Sequence, residues 1–227
     1  IRGMNHFLCS QKTPFSPTRD MTLGSAIHDA ILLPDSFESD YLQMIDVDRR
    51  TKDGKSQWAL FEEKANGRTI LPHDDYEIAL HCRDSFFRSP FLSEVWKRGK
   101  KEISFFWTDS STGIPCKSRK DLFLEDDNGI VFEMKSCQDA RIHQFRSTVK
   151  KSSYDLQAAW YVDAVELIKG KRPDHFFIAI EKEPPYEIAV YPTGKGILEL
   201  GRQIYKSEFS KSFPPKRDEG SCRIDKG

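Results

Sequence analysis

The middle of the chain alternates apolar and polar residues in short runs divided by turn-forming residues. Glu102–Thr108 reads as a strand by its Ile103, Phe105, Phe106 and Trp107, and Asp109–Gly113 is a turn rich in Ser and Thr. Ile114–Glu125 is a second strand, Glu125–Gly129 another turn and Ile130–Cys137 a third strand. Turns this tight predict an antiparallel meander. His175–Glu181 and Glu187–Tyr191 are two later strands, and the nearly all-apolar first of these is expected in the sheet interior.

Elsewhere the period is helical. Expected helices are Leu23–Leu33, capped by Thr22 and stopped by Pro34, then Ser56–Asn66, Asp74–Phe87, Pro90 to about Lys97, Ser153–Lys169 and Gly194–Phe209. Ile78, Ala79, Cys82, Ser85 and Phe86 form one stripe of the third of these. Leu156, Ala159, Trp160, Ala164, Leu167 and Ile168 give the Ser153–Lys169 helix a broad apolar side, ended by Gly170. The first twenty residues, with Pro14 and Pro17, read as loop, and the chain beyond Ser210 as a loose tail. The expectation is one α/β domain over residues 1–209 and a flexible tail over 210–227.

With 227 residues and 38% hydrophobic content there is enough apolar material for one core. No apolar run approaches the roughly 18 residues that span a bilayer, and no segment resembles a signal peptide, so no membrane partner is expected. Five widely spaced cysteines without a Cys-x-x-Cys pair argue against zinc ribbons, iron–sulfur clusters and disulfide scaffolds, and for free thiols in a reducing cytoplasm. Lys plus Arg equals Asp plus Glu at 35 each, which excludes a chain-wide basic coat but not a local basic channel. Candidate clusters for such a channel are Lys97, Arg98, Lys100 and Lys101; Lys117, Arg119 and Lys120; and Arg141, Arg146, Lys150 and Lys151.

The candidate chemistry lies in Arg119–Lys120–Asp121 and Glu133–Met134–Lys135. Side chains alternate across a strand, so Glu133 and Lys135 share a face and Asp121 shares one with Arg119. A tight turn lets Asp121 and Glu133 converge, and two adjacent carboxylates call for a cation between them. Hard oxygen ligands suit Mg²⁺ or Mn²⁺, and a neighbouring Lys can orient or activate metal-bound water for phosphodiester hydrolysis. The same spacing also suits an exposed hairpin with charges on its solvent face. Three features add to it: Glu102 at the start of the first strand, His28 one turn after Gly24 and able to reach a metal, and Gln157 with Tyr161 at i and i+4 of one helix.

In this order, Gly24–His28, Glu102, Arg119–Asp121, Glu133–Lys135 and Gln157–Tyr161 resemble the PD-(D/E)xK nuclease superfamily. More narrowly they are similar to RecE-type exonucleases (exodeoxyribonuclease VIII), relatives of RecB nuclease domains and lambda-type exonuclease. The segments Ile103–Trp107, Thr112–Cys116 and Asp155–Tyr161 carry this narrower likeness, which covers roughly Met21 to Phe209. Lys120 stands where the family usually has Pro, and Glu133 where RecE-type members often have Asp. The resemblance implies a restriction-endonuclease-like core, a central mixed β-sheet flanked by helices. It implies that Asp121, Glu133, His28 and the Met134 carbonyl hold Mg²⁺, with Mn²⁺ as substitute, and that Lys135 readies the attacking water. Glu102 would support the metal cluster, Gln157 and Tyr161 would hold Lys135 and the scissile phosphate, and Arg119, Lys117, Lys120, Arg141 and Arg146 would bind DNA. The implied activity is 5′-to-3′ digestion of duplex DNA ends by a ring-like homo-oligomer, leaving 3′ overhangs for a single-strand annealing recombinase. A structure-specific or single-strand endonuclease, and a non-catalytic DNA-binding module, remain alternatives.

Overall fold

The structure is a computed structural model that describes residues 15–213. Its elements are helices α1 (Arg19–Leu32) and α2 (Pro34–Asp40), strand β1 (Tyr41–Gln43), helix α3 (Lys52–Ala65), strand β2 (Thr69–Leu71) and helices α4 (His73–Arg88) and α5 (Pro90–Arg98). Strands β3 (Lys100–Thr108), β4 (Pro115–Leu124) and β5 (Ile130–Cys137) follow, then helices α6 (Ile142–Lys151) and α7 (Tyr154–Lys169). Strands β6 (Asp174–Glu181) and β7 (Ile188–Pro192) and helix α8 (Lys195–Ser212) complete the described chain.

The expected meander is present: β3, β4 and β5 pair antiparallel in turn. β6 then adds parallel to β5, after the α6–α7 crossover that a parallel pair requires, and β7 closes the edge antiparallel to β6. The sheet is mixed, with order β3-β4-β5-β6-β7, and β6 is an interior strand as its apolar sequence requires. Its alternate residues serve two cores. Ile178 and Ile180 pack with Ile27, Ile31, Phe86 and Leu92 from α1, α4 and α5, whereas Phe177 and Ala179 pack with Phe145, Ala158, Val162 and Leu198 from α6, α7 and α8. Helices therefore cover both faces. No described helix is long and apolar enough to cross a membrane.

Several boundaries differ from the sequence reading. The cap of α1 is Thr18, whose Oγ1 accepts from the Met21 N–H at 3.3 Å, so the helix begins four residues before the expected start at Leu23. Pro34 ends α1 but also opens α2, where its missing N–H costs nothing in the first turn. Ala159 and Ala164 are buried as expected, but Leu167 and Ile168 are exposed, and Ala158, Val162 and Val165 complete the buried side of α7. α8 continues to Ser212. The remaining tail expectation, like that for residues 1–14, lies outside the described residues. α2, α6 and the parallel β1–β2 pair were not anticipated.

α7 and α8 meet where no side chain fits. A Cβ at Gly201 would stand 2.1 Å from the Asp155 carbonyl oxygen and 2.9 Å from the Leu156 nitrogen, both backbone atoms at the start of α7. Gly201→Ala is therefore expected to destabilise the fold by about 1–3 kcal/mol, as overpacking does. Gly196→Ala in the same helix, where a Cβ meets nothing within 4 Å, is expected to cost nothing. Urea denaturation midpoints of the two variants check this; equal midpoints would contradict the close approach.

Candidate active site

The site forms where the sheet splits. β4 and β5 pair only over Leu122–Leu124 with Ile130–Phe132, and before Leu122 the two strands part. The β3–β4 ladder is interrupted at the same level: Lys101 pairs Leu122 and Ile103 pairs Lys120, but Glu102 and Asp121 between them are skipped. Glu102 has φ 51°, a left-handed conformation that a non-Gly residue adopts at a cost. The distortion reverses the faces. Lys101 lies over Trp96 of α5 at 3.9 Å, whereas Ile103 and Phe105 pack on the α7 side with Val165. Side chains replace the lost ladder bonds: the Met134 N–H donates to Asp121 Oδ2 at 2.7 Å, and the Asp121 N–H to Glu133 Oε1 at 3.3 Å.

A cleft of about 350 Å³ opens at this fork. It is lined by His28, Glu102, Arg119, Asp121, Glu133, Met134, Lys135 and Gln157, together with Tyr154. α1 reaches the fork with Gly24 beside Ser136 of β5; one turn on, His28 faces the acids. His28 Nε2 is 3.0 Å from Asp121 Oδ2, and Nδ1 is 3.8 Å from Glu102 Oε1. One donor atom from each of His28, Glu102 and Asp121 lies within 4.8 Å of the others. Ligands on opposite sides of an ion bound at about 2.1 Å stand about 4.2 Å apart, so side-chain shifts of about half an ångström let the cluster close on a divalent cation. Two carboxylates and an imidazole suit Mn²⁺ as well as Mg²⁺. The N–H and C=O of a strand residue point to the same flank, so the Met134 carbonyl also faces the opening. Glu133 stands apart from this trio, and its Oε2 accepts from Lys135 Nζ at 3.3 Å.

The electrostatics favour a bound cation. Glu133 is 1% exposed, and burial together with repulsion from Asp121 pushes its carboxyl up to about 8. Asp121 is buried too, yet its ion pair and hydrogen bond with His28 outweigh burial and hold it below the usual carboxylate range. His28 resists burial in the same way: the Asp121 carboxylate drives its imidazole up to about 9. Burial also raises Glu102, against the pull of Arg119, whose Nε is 2.7 Å from Glu102 Oε2. For Lys135, burial would lower the ammonium, but Glu133 and Asp121 outweigh it and keep the group charged.

α7 supplies the far wall. Ser153, with φ 56°, turns the chain sharply out of α6. Tyr154 follows, its ring 4.9 Å from Lys135 Nζ, and Gln157 Nε2 donates to Tyr161 Oη at 3.1 Å. Tyr154 was not foreseen; it stands at the first residue of its helix, outside the apolar stripe that drew attention.

The expected DNA-binding residues divide. Arg119 is 61% exposed at the cleft mouth and Lys117 is exposed two residues before it. Arg141 and Arg146 lie outside the cleft lining, and Arg141 is paired with Asp139. Arg98 and Lys100 are tied to Asp126 and Glu125. Lys120 corrects the expectation outright: it is 0% exposed and faces away from the cleft mouth. Its Nζ donates to Ser118 Oγ and lies 4.2 Å from the Phe105 ring and 5.0 Å from that of Tyr161. Burial lowers this ammonium to about 7. No carboxylate pairs with it among the described residues, so its desolvation is only partly offset. Lys120→Met is expected to raise the melting temperature by roughly 2–4 °C, the response of a domain this size to about 1 kcal/mol. Calorimetry checks this, and a lower melting temperature would show that the amine stabilises the fold.

Two solved structures and one family model resemble the chain. A crystal structure of a presumed exonuclease from Eubacterium rectale superposes with TM-score 0.58 at 12% identity, covering 96% of this chain and 79% of that one. The structure of SSO0001 aligns with TM-score 0.38 at 14% identity, over 89% and 91% of the two chains. No curated protein sequence matches significantly. The five-stranded mixed sheet between helical layers is a PDDEXK nuclease-like fold. Residues 3–214 match the family described as the PDDEXK-like domain of unknown function (DUF3799), and the chain belongs to that family.

Proposed function

We propose that the protein is a divalent-metal-dependent exonuclease that degrades one strand of duplex DNA from the 5′ end. It would leave 3′ overhangs for a strand-annealing recombinase and act as a ring-like oligomer on DNA ends in the cytoplasm. Family membership and the exonuclease designation of the E. rectale relative support a nuclease. The observation that carries the reading is the split between β4 and β5, which gathers Asp121, Glu102 and His28 beside Lys135.

The residues present would hold Mg²⁺ or Mn²⁺ through Asp121, Glu102, His28 and the Met134 carbonyl. Such an ion supplies Lewis-acid polarisation of the phosphate and a hydroxide-like water near neutral pH. The protein's own groups do the rest. Lys135, fixed by Glu133 and Tyr154, donates to the attacking water and offsets charge growing on the phosphate. Glu133 keeps that ammonium in place. Arg119 at the mouth takes a neighbouring or terminal phosphate, and Gln157, held by Tyr161 behind it, forms a polar wall beside the scissile group.

The test uses end-labelled linear duplex and closed circular DNA. Wild-type protein is expected to release 5′-phosphate nucleotides from linear DNA with Mg²⁺ or Mn²⁺, to stop with EDTA, and to spare circles. Glu133→Gln and Lys135→Met are each expected to slow release by about 10²–10³-fold, the range for losing one group that stabilises a transition state. Cutting of circles would overturn the exonuclease reading, and undiminished activity in both variants would place the chemistry elsewhere.

A further inference from the structure

The outer face of the β3–β4 hairpin continues from the cleft. On β3, Glu102, Ser104 and Phe106 follow at alternate positions, opposite Asp121, Arg119 and Lys117 on β4; Ser104 pairs Arg119 and Phe106 pairs Lys117. Phe106 is 67% exposed although its neighbours are not free: Phe105 is buried, and Trp107 packs on Trp160 with ring centroids 4.9 Å apart. Lys117 Nζ stands 5.6 Å from the centre of the Phe106 ring. Leaving the cleft, the surface thus presents a cation at Arg119, then a second cation beside a bare aromatic ring. Four residue steps along the strand separate Glu102 from Phe106, about 13 Å at 3.3 Å each, a few nucleotides along a chain.

We infer that this hairpin face binds single-stranded nucleic acid leading into the cleft, with Phe106 stacking on an unpaired base and Lys117 and Arg119 following the backbone phosphates. The inference rests on the nuclease reading above and adds that the strand to be degraded reaches the cleft unpaired, peeled from its partner at the duplex end. An aromatic ring has nothing to stack on in a duplex, whose base faces are covered, whereas cationic grooves with exposed rings suit single strands of any sequence. The platform is also rigidly placed. Trp160 Nε1 donates to the Lys117 carbonyl at 3.2 Å, and Trp160 belongs to α7, the helix that carries Tyr154 and Gln157 into the site. Asp163 of the same helix is clamped by Arg202, with Nε to Oδ2 2.7 Å, and by the Tyr205 hydroxyl. The stacking ring and the catalytic groups are therefore referred to one helix.

The test is fluorescence anisotropy with a labelled oligothymidylate and a labelled blunt duplex, in a Glu133→Gln background that holds cleavage back. Phe106→Ala is expected to weaken oligothymidylate binding about tenfold, within the range for one base–aromatic stack, and to change duplex binding less than about twofold. Phe106→Trp is expected to restore it. Lys117→Gln should reduce the slope of log affinity against log salt by about 0.7, one phosphate on a single strand. Phe106 is largely exposed, so its variants should melt with the parent. Unchanged oligothymidylate binding in Phe106→Ala, or equal loss on both probes, would overturn the inference. So would unchanged binding of both probes with altered sedimentation, which would make the face a contact between protein copies. If wild-type protein cleaves DNA and Phe106→Ala binds as the parent does, only this inference fails. If wild-type protein neither binds nor cleaves either form, the nuclease reading fails with it.

Discussion

The β4–β5 ladder gives way after Leu122, and charged groups stand where backbone bonds would continue. Asp121 and Glu133 occupy that gap, each almost wholly removed from water. Their mutual repulsion is what His28, Lys135 and the neighbouring backbone N–H groups offset, and only in part, since Glu133 still resists ionisation. A fold gains nothing in stability from such a cluster, because buried like charges cost free energy unless a cation joins them. The opening of the sheet, the left-handed Glu102 and the approach of α1 with His28 together bring these groups into one place.

The two cores divide the labour. On one face, α1, α4 and α5 bury a continuous apolar layer against Leu122, Phe132, Met134 and Ile178, and so fix the depth at which His28 meets the acids. On the other, α7 packs through Ala158, Val162 and Val165, small enough to let the helix lie close to the sheet. That closeness places Tyr154 beside the half-buried Lys135 and Tyr161 beside the buried Lys120. Lys135 is held between acid and ring at the cleft, and Lys120 is sealed among Phe105, Tyr161 and Ser118 beneath it.

Much of this could be read from the residues. The strand Ile130–Cys137 and the turn before it emerged with little error, because Ile130, Val131 and Phe132 follow directly on the Asn128–Gly129 turn signal. α4 and α5 were equally plain, one from its stripe of Ala79, Cys82 and Phe86, the other from Ser89 and Pro90 at its start. α6 was hidden because only Phe145 and Val149 are buried in it, and its basic residues suggested a phosphate surface instead. β1 and β2 have three residues each, too few to show alternation. His28, Glu102, Asp121, Glu133, Lys135 and Gln157 do line one cleft. Lys120 was misplaced although the alternation that paired Arg119 with Asp121 already turned it inward. What no pattern could show is the reversal of faces at Glu102 and Asp121, since it depends on a backbone conformation that the side chains do not announce.

Manganese itself is the most direct probe of the fork. In crystals soaked with Mn²⁺ and measured at the manganese absorption edge, an anomalous peak should lie among Asp121, Glu102 and His28, within coordination distance of the Asp121 carboxylate. A soak at saturating manganese that leaves those three side chains without a peak would contradict the site on which the proposed chemistry stands.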